Sequence, residues 1–146
     1  CMAAGADVVS IDCTDCVRGD GLTPTEFLKA VREEYPNIII MADCATFEEG
    51  VAAHAAGADL VGTTMNGYTP QTAGETGEPN FALVARLVKT LPCPVIAEGR
   101  IHTPEQARKM LEIGAWAVVV GGAITRPLEI ASRFMAAVRD LPGGMA

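Results

Sequence analysis

The sequence predicts an α/β chain in which βα units repeat around a parallel sheet. One junction recurs along the chain: Gly5-Ala6-Asp7-Val8, Gly57-Ala58-Asp59-Leu60 and Gly114-Ala115-Trp116-Ala117 each join a helix-stopping glycine to an apolar strand. The spacing corresponds to about two βα units, the mark of a modular sheet. The apolar runs show no alternation, as expected of parallel strands covered on both faces. Each strand also ends at one side in a polar residue or glycine: Asp12, Asp43, Thr64, Glu98 and Gly121. In (β/α) proteins that rim is where ligands bind.

Residues 1–5 read as the last turn of a helix closed by Gly5, and Val8-Val9-Ser10-Ile11-Asp12 as a strand. Thr23-Pro24-Thr25-Glu26 then opens a helix, with Thr23 as cap, Pro24 at the first position and Glu26 closing a capping box. It turns Phe27, Leu28 and Val31 inward and stops before Tyr35-Pro36. A strand follows over 37–41 and runs on to Asp43. Thr46-Phe47-Glu48-Glu49 is a second capping box, opening an alanine-rich helix that runs to Gly57. Residues 58–62 form the third strand, ending in Thr63-Thr64. The stretch 66–80, rich in Gly, Pro and hydroxyls, is too long for a simple connector and reads as a lid or binding loop.

A helix over 81–89 places Leu83, Val84, Leu87 and Val88 on one side. The next strand, Val95-Ile96-Ala97, ends abruptly in Glu98-Gly99-Arg100. Thr103, Pro104 and Gln106 then open the helix over 103–113. A last strand over 116–120 runs into Gly121-Gly122-Ala123-Ile124-Thr125-Arg126-Pro127 and a final helix to about Val138. Five strands and five helices fall short of the eight of a closed barrel. In phosphate-binding (β/α)8 TIM barrels the phosphate lies on the loops after strands seven and eight, and the two glycine-bearing loops here match that pair. The expected architecture is therefore strands four to eight of such a barrel. Residues 1–146 would be the C-terminal part of one domain, with the first three βα units lying upstream; the start at Cys1 reads as a cut.

Composition narrows the class. The chain is 49% hydrophobic and only 5% aromatic, which suits closely packed βα layers. A net charge of −7, with 11 scattered basic residues, argues against nucleic acid and against an anionic membrane surface. No apolar run reaches the roughly 20 residues of a membrane span and none resembles a signal peptide, so a cytoplasmic protein is expected. The 5 cysteines include Cys13-Thr14-Asp15-Cys16. No second pair completes a zinc set, and reduced, mostly buried thiols are expected, with no metal.

Glu98 is the candidate catalytic group. A carboxylate at the tip of a buried strand needs partners or a task; it is either held by backbone amides or an acid/base on a substrate. Gly121-Gly122 would let backbone amides approach a phosphate, with Arg126 adding a charged contact; a tight turn is the plainer alternative. Asp43 and Glu98 lie on strands separated by one, so both could face one cavity, and Asp43 would either accept from sugar hydroxyls or cap the next helix. Asp12 is a weaker parallel. His102 reads as a loop histidine, His54 as surface or satisfied core, and Tyr68 as a packing or closing residue.

Five segments, Ile40-Met41-Ala42-Asp43-Cys44, Gly62-Thr63-Thr64, Gly67-Tyr68-Thr69, Val95-Ile96-Ala97-Glu98-Gly99 and Val120-Gly121-Gly122-Ala123-Ile124-Thr125-Arg126-Pro127, together resemble the N-acylglucosamine-6-phosphate 2-epimerases, the N-acetylmannosamine-6-phosphate 2-epimerases of bacterial sialic acid catabolism. The resemblance spans essentially the whole chain in order. It implies a phosphate-binding TIM barrel acting on a phosphorylated N-acetyl amino sugar, without metal or organic cofactor, as a homodimer. It assigns one of the two proton-transfer roles at C2 to Glu98. Asp43 goes to the substrate, and Gly99, Gly121, Gly122 and Arg126 to the phosphate. The second acid/base is a lysine on the family's third strand, which this segment does not carry; Lys29, Lys89 and Lys109 all fall within expected helices. This chain alone is therefore expected to be nearly inactive. Val17-Arg18-Gly19-Asp20 departs from an Arg-Pro step of the family. The rival readings are another sugar-phosphate barrel enzyme, such as a Schiff-base aldolase, which would need a strand-end lysine, and a non-catalytic phosphosugar-binding fragment.

Overall fold

A computed structural model describes residues 2–16, 18–75 and 77–139; Cys1, Val17 and Thr76, each part of an expectation above, lie outside them. A 3-10 turn, Met2–Ala4, precedes β1 (Val8–Asp12), α1 (Pro24–Glu34), β2 (Ile39–Asp43), α2 (Phe47–Ala55), β3 (Leu60–Gly62) and α3 (Phe81–Thr90). Then come β4 (Val95–Glu98), α4 (Pro104–Ile113), β5 (Ala117–Val119), the short α5 (Gly122–Thr125) and α6 (Pro127–Arg139).

The helix starts fall where the capping residues place them. Thr23, Thr46 and Thr103 each accept from the backbone N–H three residues on, and Glu26, Glu49 and Gln106 reach back, so all three boxes are complete. Each satisfies two amide groups that a helix start otherwise leaves bare. The three junction glycines all take positive φ, 76°, 112° and 107° at Gly5, Gly57 and Gly114, a region where a side chain would strain the backbone.

The five strands form one parallel sheet in the order β1-β2-β3-β4-β5. A doubly wound sheet reverses its strand order at a switch point. Here it never reverses, so right-handed crossovers lay α1 to α4 on the same face, as in a barrel wall. α1 packs on α2, α2 on α3 and α3 on α4, and the core lies between this helical layer and the sheet. Leu28, Ile40, Val61, Val84, Leu87 and Met110 fill it. The register pairs Asp12 with Asp43, Asp43 with Gly62, and Glu98 with Val119, which brings the polar strand ends to one rim.

The structure departs from the expected elements in three respects. Burial on both strand faces holds for Val95, Ile96 and Ala97 of β4, whereas Val8, Ile39 and Val119 are exposed, because nothing among the described residues covers the helix-free face beside them. The segment after β5 is two helices, since Arg126 leaves helical geometry before Pro127. The strands are also shorter than the apolar runs: Ala58 and Trp116 already lie outside β3 and β5. No helix among the described residues is long and apolar enough to cross a membrane.

Candidate active site

Glu98 is the last residue of β4, and its backbone is fixed from the neighbouring strand end. The Thr63 hydroxyl donates to the Glu98 carbonyl at 2.8 Å and accepts from the Glu98 N–H at 3.0 Å. Among the described residues no backbone amide donates to the Glu98 carboxyl. Its Oε2 lies 3.0 Å from Thr64 Oγ1, and Thr64 Oγ1 lies 2.7 Å from Asp43 Oδ1. Burial raises the Glu98 pKa above the usual carboxylate range; a Thr64 hydrogen bond opposes the shift and the charge on Asp43 adds to it.

Asp43 does not cap α2, because Thr46 does that, with Glu49 receiving the Thr46 and Ala45 amides at 2.9 and 2.7 Å. The Asp43 carboxylate instead takes the Thr64 hydroxyl on one oxygen and the Ser10 hydroxyl on the other. Gly62 lies between the two, and a Cβ there would lie 3.2 Å from Thr64 Oγ1 and 3.3 Å from Asp43 Oδ1, close enough to push the pair apart by a few tenths of an ångström. Asp12 turns to its own loop, accepting the Thr14 amide and hydroxyl at 2.9 and 2.6 Å.

In front of Glu98 a cavity of about 510 Å³ is lined by Gly99, Gly121, Gly122, Arg126 and Tyr68, among others. Five of the six residues singled out in the sequence thus share one space. Asp43 is not in its lining and reaches it through Thr64. Arg126 stands over the glycine turn, exposed and paired with Glu129 at 2.7 Å, which holds the Glu129 carboxyl below its ordinary range. At Gly122 a Cβ would lie 3.0 Å from Glu129 Oε2, so a side chain there would push the Glu129 carboxyl aside.

The long loop is anchored at its base. Arg100, at φ 56°, sends its guanidinium to the Asn66 carbonyl at 3.1 Å, to Asn66 Oδ1 at 2.6 Å, to the Glu78 carbonyl at 3.1 Å and to the Glu75 carbonyl. Buried Asn66 also donates to the Ala45 carbonyl and to Glu75 at 2.9 Å each. Tyr68, 71% exposed, is carried on this loop at the cavity. Thr64, Thr63, Ser10, Asn66 and Arg100 had no individual role legible in the sequence. The Thr63-Thr64 pair was visible as a polar strand end, whereas the Arg100–Asn66 contact joins residues far apart in sequence and left no local signal.

His102 lines the same cavity, with Nδ1 3.2 Å from Arg133 Nη1. His54 meets the Ala58 carbonyl at 3.2 Å and is satisfied near the end of α2. Lys29, Lys89 and Lys109 sit in α1, α3 and α4, away from the rim. Cys13 and Cys44 are buried free thiols, and burial pushes Cys13 up to about 12. Among the described residues no three His, Cys, Asp or Glu side chains cluster as a metal site would require.

A family model described as "Putative N-acetylmannosamine-6-phosphate epimerase" (NanE) matches residues 1–140. A protein of Caldanaerobacter subterraneus subsp. tengcongensis named "Putative N-acetylmannosamine-6-phosphate 2-epimerase" is 51% identical over 139 residues, 95% of this chain and 58% of its own length. A Cutibacterium acnes protein of the same name is 49% identical over 139 residues, 94% of this chain and 60% of its own. The solved N-acetylmannosamine-6-phosphate 2-epimerase from Clostridium perfringens superimposes with a TM-score of 0.82 at 41% identity, covering 91% of this chain and 57% of that one. A thiamine phosphate pyrophosphorylase from Pyrococcus furiosus, at 22% identity and a TM-score of 0.63, shares the fold. The chain spans about three fifths of the length of the curated relatives it matches. On the family model's match to nearly all of its length, this chain belongs to the NanE N-acetylmannosamine-6-phosphate epimerase family.

Proposed function

We propose that the protein containing this chain epimerises N-acetylmannosamine 6-phosphate to N-acetylglucosamine 6-phosphate by moving a proton at C2. The observation that carries this reading is the single cavity that joins half-buried Glu98 to the Gly121-Gly122 turn and Arg126. Its volume of about 510 Å³ suits a phosphorylated hexosamine. Glu98 serves as one of the two acid/base groups, within reach of a sugar ring whose phosphate lies on Gly99, Gly121, Gly122 and Arg126. Asp43 acts from behind, orienting Thr64 and Glu98. The second acid/base group is the lysine that the resemblance puts on another strand, since none of the three lysines here stands at a strand end. The same argument disfavours a Schiff-base aldolase. No cofactor is required, and we take the enzyme to be a cytoplasmic homodimer.

The test is proton exchange at C2. The full-length enzyme is incubated with N-acetylmannosamine 6-phosphate in D2O and C2 is followed by NMR, beside the 146-residue chain alone. Exchange with epimer formation is expected from the full-length enzyme and at most a trace from the chain. Exchange of equal rate from both would place the second acid/base group within these residues and overturn the lysine assignment. A folded full-length enzyme that never exchanges C2 would overturn the epimerase reading.

A further inference from the structure

Asp43, Thr64 and Glu98 form a row across the tips of β2, β3 and β4, and the row is one proton short if both carboxyls are ionised. Thr64 has a single hydroxyl proton, while its oxygen lies 2.7 Å from Asp43 Oδ1 and 3.0 Å from Glu98 Oε2. The proton points along only one of these lines. With both carboxyls charged, the other contact would set lone pair against lone pair at hydrogen-bond distance. Asp43 has two hydroxyl donors gathered on its two oxygens, Ser10 and Thr64, the surroundings of an anion. Among the described residues Thr64 is the one hydrogen-bond partner of the Glu98 carboxyl. The row closes when Glu98 carries the proton and donates it to Thr64.

We propose that Thr64 is a positioning residue that makes Asp43 and Glu98 hold one proton between them, with Asp43 the anion and Glu98 the acid facing the cavity. The proton count stands on geometry alone; only what Glu98 donates to rests on the epimerase reading. In that step a carbanion at C2 takes the proton: the Glu98 O–H bond breaks, the carbanion's electron pair becomes the C2–H bond, and a carboxylate is left. The pair then regains its shared proton from solvent or from the reverse step.

The other charges around the cavity are engaged elsewhere. Arg100 is directed to Asn66, Glu75 and Glu78, Arg126 pairs with Glu129, and His102 faces Arg133. Asp12 on the β1 side is occupied by Thr14, and Tyr68 stands exposed on its loop. Burial of Glu98 and the charge on Asp43 both favour the protonated form of Glu98, and a hydrogen bond donated by Thr64, the arrangement this proposal replaces, would oppose it.

The experiment follows the Glu98 carboxyl carbon by ¹³C NMR against pH in the full-length protein, with Glu98→Gln to assign the resonance. Thr64→Val removes the hydroxyl at constant shape. If Glu98 donates to Thr64, its protonated form loses an acceptor and the midpoint moves to lower pH; Thr64→Ser restores it. If Thr64 were the donor to Glu98, the carboxylate would lose a donor and the midpoint would rise, which overturns the proposal. Should Thr64→Val not fold, Asp43→Asn replaces it: a fall in the Glu98 midpoint is expected, and an unmoved midpoint overturns the sharing. None of these readings needs turnover. A shift of the expected sign in a protein that never exchanges C2 would sink the epimerase reading and leave the proton pair standing.

Discussion

Arg100 is the most informative residue to remove, because it ties the 66–80 loop to the turn that carries Glu98. Its two best-sheltered contacts are to Asn66, the carbonyl at 3.1 Å and Oδ1 at 2.6 Å. Hydrogen bonds from a charged donor contribute about 1.5–3 kcal/mol each, and partial exposure argues for the low end. Arg100→Met should therefore ease loop opening by about 3 kcal/mol, or roughly a hundredfold in the opening constant. The strained φ of 56° persists in the variant and cancels from the comparison. Native-state hydrogen exchange reads this at Gly67, Thr72 and Glu75, whose amides bond to Thr72 Oγ1, the Thr69 carbonyl and the Thr72 carbonyl within the loop. These amides should accelerate by about two orders of magnitude, while those of α3 stay unchanged. Acceleration below about threefold, or an equal rise in α3, would show that the loop is held by its own threonines and Asn66 instead.

Glu98→Gln in the full-length enzyme should slow C2 exchange by at least about 10²-fold, as expected on losing a proton-transfer group, and undiminished exchange would remove Glu98 from the chemistry. Arg126→Met should raise KM by roughly tenfold or more with a smaller effect on kcat, since a phosphate contact binds ground and transition states alike; an unchanged KM would take the phosphate away from this turn. Gly50 and Leu87 should be strongly coupled: a Cβ at Gly50 would meet Leu87 Cδ2 at 2.8 Å. Leu87→Ala alone should cost about 2–5 kcal/mol and Gly50→Ala alone about 1–3 kcal/mol, while denaturant unfolding of the double variant should show a cost well below their sum. Cys13, raised from 9.0 to about 12 by burial and by nearby carboxylates, is neutral in the folded protein and ionises in the unfolded chain between those values. The unfolded state then binds fewer protons, so stability should fall as pH rises through that window. At pH 8 exposed Cys16 should react with a thiol reagent before buried Cys13 and Cys44, and rapid labelling of Cys13 in the native state would contradict its burial.

Much of the fold was legible locally, because its signals are local. A capping box needs only four adjacent residues, so Thr23, Thr46 and Thr103 located three helix starts, and the recurring glycine junction marked three strand entries. Polar strand ends could be placed on one rim because parallel strands all point the same way, and that rim brought Glu98, Gly99, Gly121, Gly122 and Arg126 to one cavity. What the sequence could not decide is which side chain each polar tip would meet. Whether Asp43 would cap the next helix was open in the sequence, and tertiary register gave its carboxylate to Ser10 and Thr64 instead of to α2. Thr64 looked like any strand-end hydroxyl until β3 set it between two carboxyls, and Arg100 like a loop charge until the chain returned Asn66 to it. Helix starts and strand direction are encoded over a few bonds, but hydrogen-bond partners depend on ångström-scale positions of residues tens of positions apart, which only the packed sheet determines.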